Sequence, residues 1–213
     1  MQLLVKFCQA LHDIACLVNV IAYRKTLFAF VLKRDDYLIV IGNVGIGAVV
    51  ESDVDDIFLI DTGAKKTYSY QSLLKDIGAV KEIPAFLRAD SLYTFYCTLL
   101  ASVLHNVPIE VLDADLSLDE LHRIEINDEM LSKRQDVPAI ENITLDVLVQ
   151  NLLENDTWTL TLYTSGTTGR PKKVYHTLKT LARTVKRSPK LANKVWALAY
   201  NPTHYAGLQV FFQ

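Results

Sequence analysis

From Ile57 onward, short β-branched and aromatic runs alternate with amphipathic ones, the pattern of an α/β domain. Ile57 to Ile60 reads as a strand, Asp61-Thr62-Gly63 as a turn, and Gln71 to Ile77 as a short helix after Thr67-Tyr68-Ser69-Tyr70. Ile83 to Leu87 reads as the next strand. A longer helix is expected from Leu92 to about His105, where Leu92, Phe95, Tyr96, Leu99 and Val103 share one stripe behind an N-cap at Asp90 or Ser91. Pro108 to Leu112 is strand-like. Ser117-Leu118-Asp119-Glu120 fits a capping box, and Thr144 caps a helix from Leu145 to Glu154, while Ile126 to Ile140 between them reads as a loop. Trp158 to Tyr163 and Val195 to Tyr200 supply two more strands.

Residues 1 to about 50 follow another pattern and form an N-terminal extension. An apolar helix from Phe7 to Tyr23 precedes a strand-like run, Tyr37 to Ile41, and a glycine cluster at Gly42, Gly45 and Gly47. The cluster has the spacing GxxGxG, and no helix follows whose N-terminus would hold a pyrophosphate, so it reads as a turn between strands rather than a dinucleotide site. Gln9, His12, Asp13 and Asn19 interrupt the apolar run, so a core or interface helix is expected, not a membrane span or a secretory signal.

With 213 residues, 50% of them apolar, the chain can bury a substantial core. A net charge of -2 supplies no overall positive field for nucleic acid, and Cys8, Cys16 and Cys97 lack any CxxC pairing, as expected of reduced thiols in the cytoplasm. Asp113, Asp115, Ser117 and Asp119 alternate like calcium ligands, yet Leu118 stands where such a loop needs glycine and Ile124 where it needs glutamate. No metal-ligand set emerges. Basic residues gather from Arg170 to Lys194, where they could favour a polyphosphate, but most of them, Lys172 excepted, read as a solvated helix face.

The chemistry concentrates in Tyr163-Thr-Ser-Gly-Thr-Thr-Gly-Arg-Pro-Lys-Lys173. Val174, Leu178, Leu181 and Val185 recur at helical spacing after it, so the glycines are expected where a strand hands over to a helix. Amides of such a loop point at anions, and Gly166 and Gly169 allow close approach. Thr164, Ser165, Thr167 and Thr168 add hydroxyl donors, and Lys172 adds a compact positive charge. In the P-loop of GTPases the lysine directly follows a glycine; here Arg170 and Pro171 intervene.

The ordered string Thr-Ser-Gly-Thr-Thr-Gly-x-Pro-Lys at 164 to 172 resembles the phosphate loop of the adenylate-forming superfamily, which includes acyl-CoA and aryl-CoA synthetases. A chance match at a given start is on the order of one in 10^9. Asn201-Pro202-Thr203-His204, with Gly207 three residues on, is similar to the family segment that lines the carboxylate site. Phe58 to Asp61 with Thr67 to Tyr70 is similar to an early strand, turn and helix of the same large N-terminal domain. Lys173 departs from the pattern, standing where most relatives have glycine.

The resemblance implies that residues 51–213 are part of an AMP-binding domain that joins a small-molecule carboxylic acid to ATP as an acyl-adenylate. Thr164, Ser165, Gly166, Thr167, Thr168, Gly169 and Lys172 would hold the phosphates, with Mg2+ held mainly through them, and Lys172 and His204 would serve catalysis, His204 at the carboxylate pocket. The acyl group would pass to coenzyme A or a carrier protein. The adenine segment, the ribose aspartate and a late catalytic lysine are expected beyond Gln213, which makes this chain an incomplete copy. Four or five charge-assisted bonds supply about 6 to 15 kcal/mol gross, against association costs of about 4 to 15 kcal/mol, so the loop needs those further contacts. Two alternatives are a catalytically inactive nucleotide-binding or interaction module of the same fold, and an unrelated phosphate-binding α/β protein. A loop that does not join a strand to a helix favours the latter.

Overall fold

The computed structural model of the chain describes residues 39–41, 57–88, 91–113, 115–164, 171–186, 188 and 196–213. The expected apolar helix, the glycine cluster, Cys8 and Cys16 lie outside these residues. Among the described residues the architecture is mixed α/β, built on two four-stranded sheets and a two-stranded ribbon.

The first sheet is antiparallel, in the order β10-β1-β2-β3, where β1 is Ile39–Ile41, β2 Ile57–Asp61, β3 Lys66–Ser69 and β10 Trp196–Leu198. Its central strand β1 comes from the first fifty residues, and β10 from near the end of the chain. The second sheet has the order β5-β6-β8-β9. In it β5 (Phe86–Leu87), β6 (Ile109–Val111) and β8 (Thr159–Thr164) are parallel, and β9 (Lys172–Thr177) is antiparallel to β8.

Helix α1 (Tyr70–Gly78) starts at Ser69, whose hydroxyl accepts from the Ser72 amide. Helix α2 (Leu92–Leu104) starts at Ser91, whose hydroxyl accepts from Thr94. The expected stripe of α2 is buried at Phe95, Tyr96, Leu99 and Val103, but so are Tyr93, Leu100 and Ser102. A helix covered on nearly all sides is the consequence of packing in the main core, against α1 and the inner faces of both sheets. A second, smaller core of Phe86, Leu112, Leu121 and Ile126 includes α3 (Leu118–Arg123). The capping box of α3 is as expected: Ser117 Oγ accepts from the Glu120 amide, and the Glu120 carboxylate accepts from the Ser117 amide at 2.8 Å.

Two expectations are corrected. The run Ile83 to Leu87 divides at Ala85 into β4 (Glu82–Pro84), paired with β7 (Arg134–Asp136), and β5, paired with β6. Ala85 bridges the two by accepting from the Glu110 amide and donating to Lys133 O. The supposed loop Ile126 to Ile140 holds helix α4 (Asp128–Ser132) and strand β7 (Arg134–Asp136). All three residues of β7 are exposed, so backbone pairing alone makes it a strand and its side chains carry no alternation to read. Helix α5 (Leu145–Glu154), capped by Thr144, is as expected. No helix among the described residues is long and apolar enough to cross a membrane.

Trp158, fully buried, joins three elements ahead of β8: its Nε1–H donates to Val107 O at 2.9 Å and to Ser102 Oγ at 3.2 Å. Replacing it by Phe strands a buried carbonyl and removes packing volume, and should lower unfolding free energy by about 2 kcal/mol in denaturant titrations. The Glu120 carboxyl is held below its usual range, first by the Ser117 amide and then by the Ser117 hydroxyl. Its contribution is therefore complete above the ordinary glutamate pKa of about 4.3 and is lost as pH falls through the lower folded value. Glu120→Gln should remove that part of the acid dependence of unfolding.

Candidate phosphate and carboxylate site

The carboxyl ends of β5, β6 and β8 lie on one edge of the second sheet, the edge at which open α/β sheets bind ligands. Val111 pairs with Leu162, so Asp113 and Thr164, each two residues further on, lie at the same edge on neighbouring strands. Thr164 in turn is the cross-strand partner of Lys172, and its hydroxyl donates to Lys172 O at 3.4 Å. The exposed Thr164 and Lys172 thus form the stem from which the loop springs. Ser165, Gly166, Thr167, Thr168 and Gly169 lie outside the described residues.

The expected handover from strand to helix is overturned. The loop closes an antiparallel hairpin, with β9 running from Lys172 to Thr177 in continuous register with β8. Val174 sits in β9, and only Leu178 and Leu181 enter the following helix, α6 (Leu178–Leu181). The apolar spacing suits a helix, but Thr159–Thr164 needs an edge partner, and ladder pairing overrides the period. Helix α6 lies at the far end of β9, with Thr177 and Thr180 capping each other's amides, so among the described residues no helix N-terminus follows directly from the loop. Lys179, Arg183 and Lys186 are exposed, as a solvated face requires.

Lys173 is committed elsewhere. Its Nζ lies 3.0 Å from Glu110 Oε2 and 5.5 Å from the centre of the Tyr163 ring. Tyr163 donates its hydroxyl hydrogen to the same carboxylate oxygen, Glu110 Oε2, and Lys173 Nζ also donates to Oε1 at 3.2 Å. Burial first, then the hydrogen bond to Glu110, hold the Tyr163 phenol far above its ordinary pKa, so it remains protonated. The unusual lysine therefore ties β9 through Glu110 to β6 and is not a second free cation for phosphate.

His204 stands at the N-cap of α7 (Tyr205–Phe212), with its ring mostly exposed. Its Nε2 is 3.1 Å from Asp113 Oδ2, the same oxygen that accepts from Asn201 Nδ2 at 3.0 Å. Asn201 Oδ1 accepts in turn from the amide and hydroxyl of Thr203. The other oxygen of Asp113, Oδ1, accepts from the Asp115 amide at 3.2 Å. This network binds the 201–204 turn, which follows β10 of the first sheet, to the ligand edge of the second.

Gly207 seats the turn. A Cβ at that position would lie 2.1 Å from Asn201 O and 2.9 Å from Pro202 Cα, both backbone atoms that cannot swing aside. The resemblance that pointed to His204 thus leads to a residue held on the same sheet edge as the loop stem, with its hydrogen bond made to Asp113 and not to Thr164 or Lys172. In the sequence Asp113 stands among alternating carboxylates that suggest only a calcium loop. Its position at the end of a strand-like run was the usable signal. Among the described residues no three His, Cys, Asp or Glu side chains converge on a metal position.

Comparisons with protein-family models, curated proteins and solved structures each find no match to the chain.

Gly207→Ala should lower unfolding free energy by about 1 to 3 kcal/mol, the usual cost of forcing atoms into a packed site. Because Gly→Ala in a helix by itself favours the helix, a loss measured by calorimetry or denaturant titration is assigned to the clash with the 201–202 backbone.

Proposed function

We propose that the protein activates a carboxylic acid with ATP, forming an acyl-adenylate and releasing pyrophosphate, and passes the acyl group to a thiol such as coenzyme A or a carrier protein. The observation that carries this reading is the ordered string from Thr164 to Lys172 springing from a stem at the carboxyl edge of parallel strands. His204, held at that edge by Asp113, supports it.

In this reading the loop amides, the threonine and serine hydroxyls and Lys172 hold the β- and γ-phosphates, with Mg2+ carried on the phosphate oxygens. A carboxylate oxygen of the acid attacks the α-phosphorus, and the bond to the bridging oxygen breaks as pyrophosphate leaves. Donors fixed before the reaction stabilise the charge that builds on the departing group without reorganising. His204 borders the acid. The free, buried thiol of Cys97, whose pKa burial pushes up to about 12, suits a reducing cytoplasm.

The hairpin setting favours a second reading in one respect. Without a helix N-terminus the loop relies on its own amides and Lys172 for the anion, as an unrelated phosphate-binding α/β protein would also do. The two differ in chemistry, since only the first makes labelled pyrophosphate exchange into ATP depend on an added carboxylic acid.

Carboxylate-dependent ATP–pyrophosphate exchange is the expected result, screened with aliphatic and aromatic acids. Lys172→Ala or Thr168→Ala should lower its kcat/KM by about 10- to 100-fold, the worth of one charge-assisted bond. Exchange that needs no acid, or that survives both changes, counts against adenylation. ATP binding without exchange supports the second reading.

A further inference from the structure

The Asp113 carboxylate lies outside every role assigned so far, yet it is the point at which the 201–204 turn meets the second sheet. A carboxylate is an acceptor only, so the hydrogen between it and His204 belongs to Nε2. That contact uses one ring nitrogen and leaves Nδ1, without a hydrogen-bond partner among the described residues, as the atom that meets a ligand. Asn201 shares Asp113 Oδ2 and so fixes the carboxylate from the same side as the imidazole. The Asp115 amide fixes it from the other. A ring on a mostly exposed side chain would otherwise rotate freely about its two torsions, so orientation is what this network adds.

We propose that Asp113 is the positioning residue of the acid-binding site: it takes the Nε2–H of His204 and thereby presents Nδ1 to the substrate carboxyl group. This deepens the adenylation reading and rests on it for the nature of the substrate. A carboxylate substrate offers only acceptor oxygens. With its Nε2–H taken by Asp113, the ring meets such an oxygen through a hydrogen on Nδ1. The pair then supplies a donor for the acid while the ATP phosphates are held by other groups. Its loss should be felt in the binding of the acid and not in that of ATP.

The test compares wild type, Asp113→Asn, His204→Ala and the double variant in acid-dependent ATP–pyrophosphate exchange, with KM measured separately for acid and ATP. Asp113→Asn keeps the side-chain shape and an acceptor oxygen but removes the charge, and should raise KM for the acid about tenfold with KM for ATP unchanged. In the His204→Ala background the same change should add nothing. Equal effects in both backgrounds, or an effect on KM for ATP alone, would overturn the proposal. A second arm needs no turnover: ring nitrogen spectra of His204 should show an exchange-protected Nε2–H in wild type that is lost in Asp113→Ala. Protection that persists in that variant refutes the pairing. Protection lost as expected in a protein showing no acid-dependent exchange leaves the pairing intact and rejects the substrate assignment together with the adenylation reading.

Discussion

The parallel register of β6 against β8, anchored at its amino end by Trp158, is the constraint on which the remaining geometry depends. The buried indole joins the start of β8 to Val107, two residues ahead of β6, and to helix α2, so the strands cannot slip without stranding a buried donor and acceptor. A slip of one residue would also turn Leu160 and Leu162 away from the main core. At the opposite end the same register delivers Asp113 and Thr164 to neighbouring positions on the sheet edge. Packing at one edge thus sets the chemistry available at the other.

From that edge two polar devices extend, and they have different tasks. Glu110, Tyr163 and Lys173 link the three strands β6, β8 and β9 beneath the loop. The ion pair is partly exposed, at 40% and 27% for the two side chains, so its worth is limited by solvent screening to about 1 kcal/mol or less. Its effect is to hold a charge that would otherwise compete with Lys172. Asp113, Asn201 and His204 instead link two sheets, and the bare Cα of Gly207 lets the turn come close enough for that contact. Neither device requires a deep cavity; each depends on a strand register that places its members within reach.

Legibility in the sequence followed the range of the interaction. The caps at Ser91, Ser117 and Thr144 were readable because the hydroxyl and the amide it satisfies are three residues apart. Helix α5 and strand β8 were readable because their own side chains carry the period. Strand β7 was not, since Arg134, Gln135 and Asp136 are exposed and only pairing with β4 makes them a strand. The division at Ala85 was equally hidden: an apolar run from Ile83 to Leu87 looks the same whether one sheet or two claims it. The helical spacing from Val174 to Val185 was a real pattern with the wrong consequence, because an open strand edge beside it outweighed the local preference.

By itself the sequence determined the local chemistry: an α/β chain, the caps of its helices, and a Gly, Ser and Thr loop with a following lysine suited to phosphate. His204 was singled out by the resemblance of the segment around it. Only the tertiary structure decided that the loop closes a hairpin, that Lys173 is spent on Glu110, and that Asp113 is the partner of His204. Those outcomes join residues 63 and 91 positions apart in the chain, and no local pattern records which carboxylate a distant strand will bring alongside.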